Sequence, residues 1–507
     1  MISKTYPDET SASYVYDLVG KIQQASDPTG TYAFAYDNMG RLIGTSTQYT
    51  SLPGYNFQNS YGYDAASNRT SLTAPDGSTN SYSYDTLNRM TTLTNSLTGQ
   101  FGFGYDALSR RTQLTRPNGV NTSYSYDSAS HLLSVLHQAG STTLDGASYT
   151  YDYAGNRTSK TNDLNGTTWN YGYDATYELL QVTHNGSTKE SFSYDAVGNR
   201  LSSSAVPSYS YNPSNELTSN SSGSYTYDAN GNALSDASGK QYTWDFENRL
   251  VQVVNPGVGT TTFKYDPFGR RIQKSGSLGV TNYLYDGENI IEEIDSSGNL
   301  LARYTQSAWM DQPLAELRSG TTSYYEADGL NSITSLSGSV GALASTYTYD
   351  SFGKLTVSTG TLTNPFRFTA RESDLETGIY DYRARYYDQN TGRFLSEDPK
   401  ILADTASGYP YVRNNPVSLV DPRGEWWAWG WWCGPNWTGG RREEYNPAHA
   451  SLYHPPWGAT DTACMHHDIC YYECRRDHPC SKEDRAQCMR NCDANLLTNA
   501  PYSIVGL

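Results

Sequence analysis

Short alternations of aromatic and small polar residues fill most of this chain. SYSYD at residues 81–85 and SFSYD at 191–195 put rings on one face and serines on the other. That is the period of a half-buried strand. Each alternation closes on a Tyr-Asp pair, at Tyr36, Tyr63, Tyr84, Tyr105, Tyr126, Tyr151, Tyr173, Tyr194, Tyr227, Tyr265 and Tyr285, with 21 residues the commonest spacing. A turn and then Asn-Arg or Gly-Arg usually follow, as in YDNMGRL, YDTLNRM and YDPFGRR. A strand–turn–strand unit of this length cannot bury its own face, whereas stacked copies can. The pattern therefore predicts a mostly β repeat array, with helical spacing only near the C-terminus.

Composition agrees with strands and tight turns: 45 Tyr, 44 Gly and 21 Pro, with 17% charged residues, in 507. Asp and Glu exceed Lys and Arg by 52 to 36, a net charge of −16 without a basic tail. Nucleic-acid binding needs clustered cations to displace counterions, so no nucleic-acid partner is expected. No apolar run is long enough to span a membrane. MISKTYPDETSASY lacks the apolar core of a signal peptide, so a secreted or surface location would use another route. All seven Cys lie at or after Cys433, and five of the eight His fall in the last sixty residues. Such clustering suits a disulfide-stapled module, and it concentrates candidate chemistry at the C-terminus.

The repeats, together with GIYDYRARYYDQNTGRFLSEDP (378–399) and YVRNNPVSLVDPRG (411–424), resemble the YD-repeat or Rhs family over residues 14–424. The resemblance implies a hollow β-shell over 1–365, a core plug over 366–424 and a C-terminal cargo over 425–507. Asp398 and Asp421 each precede Pro and stand 23 residues apart. In the resembled family, aspartates of the plug run an autoproteolysis that releases the cargo. Two carboxylates can do this if one stays protonated and the other activates water. Asp-Pro is also an ordinary turn starter. Glu425 follows DPRG where the family usually carries Leu.

In the tip, Asp461 is a candidate N-cap for a helix over 462–476, and Ser481 with Asp484 caps a second over 482–496. Cys470 and Cys474 share one face of the first helix, Cys488 and Cys492 one face of the second. Folded antiparallel, the helices match Cys470 with Cys492 and Cys474 with Cys488. That brings Asp493 near His467, where a carboxylate would fix the imidazole tautomer and leave a basic nitrogen. The Gly-rich loop Cys433–Gly440 suits exposed carbonyl oxygens, and Asp468 could complete a calcium site.

These residues resemble the secreted phospholipase A2 superfamily. Its Cys-x-x-His-Asp-x-Cys-Tyr motif stands as Cys464-Met465-His466-His467-Asp468-Ile469-Cys470-Tyr471, its Cys-Gly loop, lengthened, runs from Cys433, and its Cys-Asp pair is Cys492-Asp493. The resemblance implies a His467 general base, oriented by Asp493, which Tyr471 hydrogen-bonds. It implies Ca²⁺ on Asp468 and the main-chain oxygens of Trp432, Gly434 and Asn436, with the Gly434 N–H at the oxyanion. We expect a third bridge, Cys433–Cys464, leaving Cys480 as the odd thiol. A purely structural hairpin and a Zn²⁺ site are the competing readings of the cysteines. Six of the ten Trp lie between Trp426 and Trp437, placed either to seat a domain on a bilayer or to form its core.

The expected protein is thus a mostly β carrier with a small stapled α-helical tip. The tip would hydrolyse the sn-2 ester of glycerophospholipids in a target-cell membrane, with a cognate immunity protein. The alternative is a non-enzymatic YD-repeat adhesion protein with a structural Cys-rich cap.

Overall fold

A computed structural model describes residues 2–400 and 407–425, together with the backbone of two short paired strands, Trp437–Thr438 and Arg441–Arg442. The two helices expected in the tip lie outside the described residues. Among those described there is no α-helix, only the 3₁₀ turns Phe368–Ala370 and Tyr411–Asn414.

Nineteen strands, from Ser3–Thr5 to Arg200–Ser203, form one meander in which each strand pairs antiparallel with the next. A three-stranded piece over Tyr209–Ser224 connects this first strip to a second, of fourteen strands from Thr226–Tyr227 to Leu355–Thr359. Polar contacts tie residues 14, 49, 98, 160 and 190 to residues 267, 283, 305, 328 and 351 respectively. Both series ascend together, so the second strip runs alongside the first in the same sense.

The repeat unit explains why Tyr, Asp and Arg recur. At a typical turn, Asp37 Oδ1 accepts the N–H groups of Met39 and Arg41, both at 2.9 Å, and Asp37 Oδ2 holds Arg41 Nε at 2.7 Å. The Arg41 guanidinium then lies 4.9 Å from the centre of the next repeat's Tyr63 ring, and Tyr63 donates its hydroxyl to the Leu42 carbonyl. The same links join Arg89 to Tyr105 and Arg110 to Tyr126. The ring is thus half apolar wall and half hydrogen-bond donor to its neighbour. Tyr16-Asp17 and Tyr349-Asp350, outside the series read from sequence, close turns of the same kind.

The inner faces hold the core. Leu72, Tyr82, Leu93, Phe101 and Leu114 of the first strip pack with Leu314 and Tyr324 of the second. A four-stranded sheet over Glu372–Phe394 follows, its rings Tyr380, Tyr382, Tyr387 and Phe394 buried with Phe368 and Tyr411. Arg271 of the second strip anchors it through ion pairs to Asp374, Glu372 and Asp381.

Candidate active site

Within the four-stranded sheet, Ile379–Tyr382 and Arg385–Asp388 make a tight hairpin with Tyr382 opposite Arg385. Arg383, with a φ of 66°, turns the corner. Three successive residues of this corner hold three successive carbonyls of DPRG. Arg383 Nη1 donates to Pro422 O, Ala384 N to Arg423 O at 3.1 Å, and Arg385 Nε to Gly424 O at 2.5 Å. Gly424 is required here: its φ is +63°, and a Cβ would stand 2.4 Å from the Tyr382 carbonyl oxygen.

Asp398 and Asp421 converge on the same guanidinium. Arg385 Nη2 lies 3.1 Å from Asp398 Oδ2 and 3.2 Å from Asp421 Oδ2. Asp421 Oδ1 reaches back along the chain to accept the Gly424 N–H at 2.8 Å. The Arg385 side chain is buried, its guanidinium 3.6 Å from the Phe394 ring centre, and its Nη1 donates to the Gly408 carbonyl. Burial pushes the Asp398 carboxyl up to about 6; Arg385 opposes that shift and Glu425 adds to it. Burial pulls the Arg385 guanidinium below its ordinary value, against the attraction of both aspartates. Lys400 pairs with the Glu425 carboxylate, while its backbone N–H donates to Asp398 Oδ1 at 2.9 Å. Asp398, Glu425, Arg383 and Arg385 all line a cavity of about 750 Å³.

Chemically, this arrangement is a carboxyl whose hold on its proton burial strengthens, a second carboxylate on the same guanidinium, and that cation on the carbonyl of the Gly424–Glu425 peptide. A hydrogen-bond donor on that carbonyl would stabilise the oxyanion of a hydrated amide. The sequence picked out Asp398 and Asp421 and missed Arg385, Lys400 and the partner role of Glu425. The pair Arg383 and Arg385, set at the corner of a Tyr-rich hairpin, was the available signal.

The remaining candidate residues, His467, Asp468, Tyr471, Asp493, Trp432, Gly434, Asn436 and all seven Cys, lie outside the described residues. Of the Gly-rich loop, only Trp437 and Thr438 are described, pairing antiparallel with Arg442 and Arg441.

Two strips of Tyr-Asp turns, followed by a sheet that holds the carbonyls of residues 422–424, make a mostly β YD-repeat fold. The teneurin YD-shell family matches residues 137–417, more than half of the chain, and the Rhs repeat matches 63–100. The chain belongs to the YD-shell family. It is 33% identical over 267 residues to the tRNA nuclease WapA of Bacillus subtilis, covering 49% of this chain and 11% of that one. It is 26% identical over 319 residues to the double-stranded DNA deaminase toxin A of Burkholderia cenocepacia, covering 56% and 21%. The chain therefore spans about a tenth to a fifth of the length of these relatives. The crystal structure of TcdB2-TccC3-Cdc42 superposes with a TM-score of 0.72 over 83% of this chain and 26% of that one, at 20% identity, a likeness of fold.

Proposed function

We propose that this protein is the shell, plug and cargo portion of a polymorphic toxin. The plug cuts the chain after Gly424, and the tip at 425–507 is a calcium-dependent phospholipase A2. The three motifs Cys433–Gly440, Cys464–Tyr471 and Cys492-Asp493, in that order within sixty-one residues, carry the reading of the tip. The relatives are named as nucleases and a deaminase, but both matched family segments end by residue 417, ahead of the tip. Secretion or surface display, a target-cell membrane and an immunity protein belong to the same proposal.

In the tip, His467 takes the proton of the attacking water, Asp493 holds its tautomer, and Tyr471 orients Asp493. The Gly434 N–H faces the developing oxyanion. One carboxylate from Asp468 with the carbonyl oxygens of Trp432, Gly434 and Asn436 is a hard-oxygen donor set that fits Ca²⁺, which when bound polarises the ester carbonyl. Asp468→Asn is expected to lose activity and calcium dependence together, because a neutral amide is a poor ligand for a hard dication. Fatty-acid release from phosphatidylcholine vesicles, with and without chelator, reads this. Activity unchanged by both the chelator and the substitution would sink the calcium site, and no fatty-acid release at all would leave the adhesion alternative in place.

The proposed bridges are Cys470–Cys492, Cys474–Cys488 and Cys433–Cys464. Non-reduced peptide mapping of the full chain is expected to recover these three pairs. Cys470 joined elsewhere would remove the geometric reason for placing Asp493 beside His467.

A further inference from the structure

One connection of the second strip departs from the repeat. Between the strands Leu300–Gln306 and Pro313–Arg318 it runs SAWMDQ, with no Tyr-Asp pair. It closes on a hydrogen bond from the Ser307 N–H to the Gln312 carbonyl at 3.0 Å. Asp311, at a φ of 57°, sits in the left-handed region, which costs a residue with a side chain energy and persists where surrounding contacts demand it. Its carboxylate is buried against the corner of the four-stranded sheet. Oδ1 accepts Arg383 Nη2 and Arg371 Nη1, both at 2.7 Å, and Oδ2 accepts Arg383 Nη1 at 3.1 Å. Burial alone would raise this carboxyl; Arg383 and Arg371 outweigh it and hold the group below the usual carboxylate range.

Asp311 therefore grips both arms of the Arg383 fork, and the Nη1 that meets it also donates to the Pro422 carbonyl. The two arginines of the corner differ in what holds them. Arg385 meets Asp398, Asp421, the Gly408 carbonyl and the Phe394 ring, all within residues 394–421. Arg383 is held from the second strip, by Asp311 and by Glu288, whose Oε2 lies 3.6 Å from its Nε. Glu288 also pairs with Arg423 at 2.7 Å. Two connections on one edge of the second strip thus reach the segment 422–423 that leads into the Gly424–Glu425 peptide.

We propose that Asp311 is a positioning residue for the cut after Gly424: it fixes Arg383 on the Pro422 carbonyl, so that the peptide is aligned only once the four-stranded sheet has docked on the second strip. This role presupposes the cut proposed above and adds a condition to it. Asp311 touches neither Asp398 nor the Gly424 carbonyl; it acts through Arg383. A guanidinium released from its carboxylate can swing, and a displacement of about 1 Å at a reacting peptide costs on the order of 10²-fold in rate. A chain whose sheet has not docked keeps residues 425–507 covalently attached.

The test follows appearance of the 1–424 fragment from the freshly refolded full chain by electrophoresis. Asp311→Asn and Arg383→Gln should each slow it at least about tenfold. The double variant should match Arg383→Gln alone to within about twofold, because residues that act through one contact do not add. Lys274→Gln is the control: Lys274 also ties the second strip to the sheet, but pairs with Asp374 and Glu376, at 3.3 and 3.2 Å, rather than with the corner. Its rate should stay within about twofold of wild type, as for an independent site. Since Asp311→Asn strips two arginines of a carboxylate, Glu288→Gln, at a side chain 36% exposed, is the second variant. It should slow the cut about threefold, the scale of a half-exposed ion pair, with its thermal transition unchanged. A wild-type chain that yields no 1–424 fragment would remove the cut and this role with it. With the wild type cutting, four results would each overturn the role of Asp311 and leave the cut standing: wild-type rates in both Asp311→Asn and Glu288→Gln, losses that add to that of Arg383→Gln, an equal loss in Lys274→Gln, or losses confined to variants with a lowered thermal transition.

Discussion

His467→Gln should lower release of fatty acid from phospholipid vesicles by at least about 10²- to 10⁴-fold, the usual contribution of a general base. The loss should be large because the imidazole has two tasks in the proposed tip: it deprotonates the water that becomes the nucleophile and later returns the proton. Glutamine keeps the bulk and one hydrogen bond but cannot take up a proton near neutral pH. His466→Gln is the control. It sits about 100° around the predicted helix from His467 and should change the rate little. Circular dichroism and calcium-induced stabilisation should be the same for both variants, since an ion that binds only the folded state raises apparent stability by mass action. A folded His467→Gln chain with near-normal turnover would remove His467 as the general base.

Self-cleavage of the plug carries the second large effect. Asp398→Asn and Asp421→Asn should each slow appearance of the 1–424 and 425–507 fragments by at least about 10²-fold, because each removes a carboxyl gathered on the guanidinium that holds the Gly424 carbonyl. The two carboxylates are not interchangeable. Asp398 is pushed up to about 6 by burial, with Glu425 adding to the shift, so it is the group that can still hold a proton near neutrality. If it acts as the proton donor, its competent form is full below about pH 6 and falls about tenfold for each pH unit above that. The cleavage rate should follow the same slope, read by electrophoresis of freshly refolded chain across pH 5 to 8. Asp266→Asn is the control. Asp266 also precedes Pro and starts a turn, yet its carboxylate is paired with Arg270 and touches no part of DPRG. A rate that rises with pH would reverse the roles of Asp398 and Asp421. Wild-type cleavage in both Asp variants would reduce them to turn starters.

The repeats were legible because the period of two and the Tyr-Asp spacing are local properties. SYSYD has one outcome as a strand, and the Asp that ends it closes the turn by accepting the backbone N–H groups of the residues two and four positions on. Asp398 and Asp421 were legible as a pair from their shared Asp-Pro context. Arg385 was not, because its importance lies in reaching Gly424, Asp398 and Asp421 at once, and those residues lie 13 to 39 positions along the chain. Nor did the turn residues announce their difference: Phe352 and Leu87 occupy the same place in the repeat, and only the neighbour across the strip decides that one is 2% and the other 63% exposed.

The sequence by itself determined the strand period, the turn chemistry, the contrast in composition between the Tyr-Asp repeats and the Cys-rich last eighty residues, and the order of the motifs there. Each of these depends on residues within about one turn or one repeat of each other. Tertiary structure alone decided which face of each strip is covered, how Arg271 reaches Asp374, and that one guanidinium gathers Asp398 and Asp421 beside residues 422–424. Those contacts arise when strips already formed pack together. Their free energy comes from burial and charge pairing between remote segments, which no local pattern encodes.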